Sequence, residues 1–253
     1  MGWNSWYTWY HTITGKKMRE AADQMVASGM ADAGYMYVNV DDCWMMQSPE
    51  GYEVRKSRLR GQDTKATVGK TRGPNGEFLA NGNFPDMKAL TDYLLIGYVG
   101  VPPAAGFQEP KPTPLTPNEQ YSYMSMWSLM AAPLFFSGDM ARLDEFTLNV
   151  LCNPEVIDVD QDALGRQARP VRFDEQDLVL AKPMEDGSLA LGLFNLAEFP
   201  RTITVSLEEL GVETPQRVRD LWRHQDLGNF DRHFEAKVNR HGVALLRLYP
   251  VNP

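Results

Sequence analysis

The chain has 253 residues, of which 43% are hydrophobic and 23% charged. That is enough apolar material for one large domain or two smaller ones, and too much for a disordered chain. Twenty-five Lys and Arg against 33 Asp and Glu give a net charge of −8, so no basic patch is expected for a nucleic-acid or anionic-membrane partner. Two cysteines, Cys43 and Cys152, are too few for a disulfide framework. No apolar run reaches the roughly 18 residues of a membrane span. Met1-Gly2-Trp3 opens directly into structure-like sequence. An export signal would have to precede Met1, giving a secreted or periplasmic protein; otherwise the expectation is cytoplasmic.

After the aromatic opening Trp3 to Tyr10, Met18, Ala22, Met25, Val26 and Met30 fall at helical spacings within Lys16 to Met30. Tyr35 to Val40 reads as a strand, and Asp41-Asp42-Cys43-Trp44 begins where it stops. From Ser48 to Asn83 the sequence is polar and glycine-rich, a long surface excursion. A helix starts at Phe84-Pro85-Asp86, Leu94 to Val101 is β-prone, and Pro102 to Pro114 reads as a connector. Thr116-Pro117-Asn118-Glu119 is a capping box that predicts a helix from Pro117 to about Ala132. Its Met124, Trp127, Leu129 and Met130 read as core packing. Leu134 to Phe136 reads as a short buried strand ending at Ser137-Gly138-Asp139, and Asp144 to Leu151 as a helix closed by Asn153-Pro154.

Past Arg169 the texture changes to short alternating segments: 171–173, 178–182, 189–194, 202–207, 217–221, 234–238 and 242–248. That spacing predicts an antiparallel β-sandwich. The alternation before it predicts a parallel α/β sheet, whose sites form where strands end at their carboxyl side. Asp41, Asp42 and Asp139 meet that condition, and Trp3, Trp6 and Trp44 add aromatic surface. Paired carboxylates that accept from neighbouring hydroxyls, beside an indole that covers an apolar ring face, fit a carbohydrate. A turn-capping role for Asp41 or Asp42 competes with that reading. Adjacent residues on a strand point to opposite faces, so hydroxyl binding suits this pair better than the roles of acid and nucleophile in a glycosidase.

Met1-Gly2-Trp3-Asn4-Ser5-Trp6, Ala33 to Trp44 and Phe84 to Leu90 resemble the amino-terminal half of an α-galactosidase of glycoside hydrolase family 27. Trp127 to Leu134, Ser137 to Met140, Asn153 to Ile157 and Asp160 to Gly165 resemble the end of that family's barrel, and the remainder its carboxyl-terminal β-sandwich. The resemblance implies a (β/α)8 TIM-type barrel followed by an antiparallel β-sandwich, cleaving terminal α-galactosides with retention through two aspartates. By match to its motifs, Trp6, Asp41 and Asp42 line the galactose pocket.

The family's nucleophile sits in a Tyr-x-Lys-Tyr-Asp type segment after the fourth strand and its acid/base aspartate after the sixth; neither has a counterpart here. Thr91 to Tyr98 looks like a splice near residues 92–94, and Asp92 becomes a third pocket carboxylate if it belongs to the right-hand side. Residues 1–168 must therefore hold an incomplete barrel, against about 250 residues for a full one, and 169–253 the β-sandwich. Catalytic residues are not identifiable. The resemblance leaves open an inactive hydrolase, a galactose-binding remnant, or a relative of the α-N-acetylgalactosaminidase type, with an α-galactoside as the small-molecule or oligosaccharide partner. Open barrel edges predict a homo-oligomer. Cys43, lacking its usual partner after Trp6, is expected as a free thiol. No metal or organic cofactor is expected, because His11, His224, His233 and His241 are dispersed.

Overall fold

The computed structural model describes residues 1–9, 12–39, 98–99 and 111–251. The chain divides into two compact units, residues 1–113 with 135–144, and residues 114–134 with 145–253.

In the first unit, β1 (Gly2–Asn4) is the centre of a parallel sheet between β2 (Tyr37–Asn39) and β5 (Phe135–Phe136). Gly2 makes this close pairing feasible: a Cβ there would lie 2.5 Å from the Tyr37 carbonyl oxygen. The helices are α1 (Trp6–Trp9) and α2 (Gly15–Ala27), the latter capped by Thr14, whose Oγ1 accepts from Lys17 N. Met18, Ala21 and Met25 form the buried stripe of α2, whereas Val26 is 69% exposed, so the apolar face is narrower than the sequence spacing predicted. β1 and α1 lie in what the sequence showed only as an aromatic opening. The strand read over 35–40 is described as 37–39. β3 (Tyr98–Val99) pairs antiparallel with β4 (Lys111–Pro112), so a strand enters the predicted connector, with Pro112 in a two-residue strand. The helix expected from Phe84 and the excursion over 48–83 lie outside the described residues.

In the second unit, β11-β10-β13-β8-β7-β6 form a six-stranded antiparallel sheet, and β12-β9 form a two-stranded one. The strands are β6 (Arg169–Phe173), β7 (Asp177–Pro183), β8 (Leu189–Asn195), β9 (Arg201–Ser206), β10 (Gln216–Asp220), β11 (Gln225–Phe230), β12 (His233–Val238) and β13 (Val243–Pro250). Val179, Leu191, Leu193, Ile203, Phe234 and Leu246 belong to the shared core, so the predicted sandwich is present. β11 escaped the sequence reading because Gln225-Asp226-Leu227-Gly228-Asn229-Phe230 carries little of the β-branched, alternating pattern.

Helix α3 (Pro117–Leu129) has the predicted capping box, with Thr116 Oγ1 accepting from Glu119 N at 3.4 Å and Glu119 Oε2 accepting from Thr116 N at 2.7 Å. It buries Gln120, Met124, Ser125, Ser128 and Leu129, and Trp127 instead meets Tyr123 edge-on at 4.9 Å. Gly192 in β8 admits the end of α3, since a Cβ there would meet Leu129 Cδ1 at 2.5 Å. Helices α4 (Glu145–Leu151) and α5 (Pro154–Asp160) follow. Asn153-Pro154 opens α5 and does not merely close α4: Asn153 Oδ1 accepts from Glu155 N and Val156 N. α3 packs against β13, β8 and β7, and the compact unit that holds the sandwich also takes in residues 114–134 and 145–168. A short helix, α6 (Leu207–Leu210), was also passed over, although Ser206 and Glu209 form its capping box.

Candidate active site

The carboxyl ends of β1, β2 and β5 share one end of the parallel sheet, as the alternating pattern required. Polar side chains tie them together. Ser5 N donates to Asn39 O at 3.1 Å, Ser137 Oγ donates to Asn4 O at 2.7 Å, and Trp3 Nε1 donates to Gly138 O at 2.7 Å. Asn4, Ser5 and Ser137 are fully buried, so this end of the sheet is a hydrogen-bonded polar platform. Trp6 follows at the start of α1, half-buried, with its backbone N–H donating to Asn4 Oδ1 at 2.8 Å.

Of the residues predicted to hold a sugar, Trp6 follows the end of β1 by two positions. Asp41, Asp42 and Asp92 lie outside the described residues, as do Cys43 and Trp44; Asp41 and Asp42 follow the last residue of β2 by two and three positions. Asp139 is at the end of β5 but is used structurally: its Oδ1 accepts from Ala141 N at 3.0 Å, capping a 3₁₀ turn over Met140–Arg142, and its Oδ2 lies 3.3 Å from Arg142 Nε. A nearby cavity of about 50 Å³, bordered by Trp9, Lys17, Gln24 and Asp139, has room for one or two waters and not for a hexose.

Two groups that the sequence did not single out stand out here. Asn39 Nδ2, at the end of β2, and Thr8 Oγ1, in α1, are buried without a hydrogen-bond partner among the described residues. Buried polar groups are almost always paired, so these two retain capacity to bond a hydroxyl. An Asn ending a strand and a Thr within an aromatic helix carry no distinguishing pattern in sequence.

Elsewhere, burial pushes the Cys152 thiol up to about 11, which removes it as a nucleophile near neutral pH. Among the described residues no group of three His, Cys, Asp or Glu side chains could hold a metal ion, and no helix is long and apolar enough to cross a membrane.

A strand-end polar site on a partial TIM-type barrel, followed by an antiparallel β-sandwich, is the architecture of a glycoside hydrolase. Residues 9–73 and 113–162 match the family model described as "Alpha galactosidase A", and residues 175–248 match "Alpha galactosidase C-terminal beta sandwich domain". The chain belongs to the α-galactosidases of glycoside hydrolase family 27. Alpha-galactosidase 3 of Arabidopsis thaliana is 26% identical, with 99% of this chain and 81% of the relative covered. The crystal structure of α-galactosidase I from Mortierella vinacea superposes with a TM-score of 0.76 at 16% identity, covering 99% of this chain and 96% of that one. A family 27 β-L-arabinopyranosidase from Geobacillus stearothermophilus, in complex with arabinose, gives 0.75 at 18%, covering 100% and 97%. The Arabidopsis alignment runs over 357 positions although this chain has 253 residues, so roughly a hundred positions face a gap.

Proposed function

We propose that this chain binds a terminal α-galactosyl residue at the strand ends of its incomplete barrel and does not hydrolyse the glycosidic bond. One observation carries the reading: the barrel match breaks off at residue 73 and resumes at 113, on either side of the splice read at 92–94, while relatives align over about a hundred further positions. Both catalytic segments implied by the family resemblance belong to that missing middle. Losing nucleophile and acid/base together removes covalent catalysis and proton transfer at once. The two family matches end at 162 and begin at 175, which supports a barrel part over 1–168 and a sandwich over 169–253.

In this reading the Trp6 indole covers the apolar face of the sugar, Asp41 and Asp42 accept from adjacent ring hydroxyls, and Asn39 Nδ2 and Thr8 Oγ1 supply further hydrogen bonds. Asp92 joins them if it belongs to the carboxyl side of the splice. The test is incubation with a nitrophenyl α-galactoside. Colour release should equal the no-protein blank; turnover above that of an Asp41→Asn/Asp42→Asn variant would refute the inactive reading.

A further inference from the structure

Among the described residues, β12 is paired on one side only, with β9. Leu207 N donates to Arg232 O at 2.8 Å just beyond the ladder, which fixes its parity. Alternate residues of an antiparallel strand turn both backbone groups to the same side, so Phe234, Ala236 and Val238 bond towards β9. His233, Glu235 and Lys237 present N–H and C=O to the free edge. Thr204, opposite Glu235, obeys the same parity: its C=O turns away from β12 and accepts from Arg172 Nη2 at 2.9 Å. One outward carbonyl of β9 is thereby bonded, whereas among the described residues His233, Glu235 and Lys237 bond to nothing on the outer edge of β12.

A cleft of about 630 Å³ runs along this strand. Its apolar lining includes Leu227, Phe234, Val238, Ala244 and Leu246, residues belonging to or packed against the sandwich core. Exposed Glu235 and Lys237 also line it, and neither forms an ion pair among the described residues. A free backbone edge, an apolar lining and two unpaired opposite charges together describe the vacancy left by one strand. Donors and acceptors that recur every second residue, about 7 Å apart, match a peptide main chain.

We propose that this cleft receives an extended peptide segment, added antiparallel to β12. Its alternate residues are apolar and face the cleft lining. Between them, an acidic and a basic residue two positions apart stand opposite Lys237 and Glu235. The β12 strand of a second folded copy does not suit the site, because it carries its own six-stranded sheet on the face that the cleft lining must cover.

The test uses the full chain and two labelled peptides, His-Phe-Glu-Ala-Lys-Val and the charge-exchanged His-Phe-Lys-Ala-Glu-Val, followed by fluorescence anisotropy. The chain should bind the first at least about tenfold more tightly, and the Glu235→Lys/Lys237→Glu variant should invert that preference. Both side chains are exposed, so unchanged circular-dichroism melting will verify folding of the variant. Absence of binding at about millimolar peptide, or a preference that does not invert, overturns the proposal. So does raffinose occupying the cleft in place of peptide, or self-association of the chain that Glu235→Lys alone abolishes.

Discussion

Asp160, 6% exposed, has its Oδ1 buried without a partner among the described residues. Burial pushes its carboxyl up to about 6, against the opposing pull of the Gln161 amide and the Lys182 ammonium. A raised folded-state value means that folding favours the protonated acid. Its contribution is fully present below pH about 4 and is lost as pH rises through about 6, a change of about 2–3 kcal/mol. Urea midpoints of the protein should therefore fall between pH 4.5 and 7.5 relative to Asp160→Asn; parallel profiles would contradict this. Glu119 runs the other way. Hydrogen bonds from the Thr116 backbone, the His241 ring and the Thr116 hydroxyl hold its carboxyl down at about 2. The stability it supplies is present above pH about 4.5 and is lost as pH falls through about 2, so Glu119→Gln should flatten the acid limb of the unfolding profile.

Helix ends account for much of the order in the second unit. The fully buried Lys182 ammonium donates to Ser128 O at 3.3 Å and to Val159 O, carbonyls near the carboxyl ends of α3 and α5, where a positive charge is favoured. Lys182→Met leaves both carbonyls buried without this donor and should cost about 2–4 kcal/mol in denaturant unfolding. Asn153 does two jobs, capping α5 and donating through Nδ2 to Leu221 O at 3.0 Å. Asn153→Ala should cost about 2–3 kcal/mol, more than an ordinary cap. These elements also mark how far the sequence could be read. The α3 capping box and most sandwich strands were legible because local chemistry and period agree with the fold. β11 was not, because its place is set by pairing with β10 and not by its own pattern. Asn153-Pro154 was legible as a break, yet its direction depends on which amides its side chain meets. At the candidate site, Trp6 is proposed from its motif, whereas Asn39 and Thr8 emerge only from the burial of atoms that lack partners among the described residues.

Across the whole molecule, the described parallel sheet is short. Among the described residues, β2 and β5 each pair only with β1, and open strand edges favour association. Size-exclusion with light scattering should show an oligomer that Glu235→Lys does not disperse; a well-dispersed monomer would contradict it. The platform of Asn4, Ser5, Asn39 and Ser137 nevertheless keeps the strand ends together. The most direct test is calorimetric titration of D-galactose into the folded chain beside Trp6→Ala and Asp41→Asn/Asp42→Asn. Saturable binding to the unaltered chain, lost in both variants with circular dichroism unchanged, is the predicted result. No heat in any of the three, or equal binding in all of them, would contradict a galactosyl site at these strand ends.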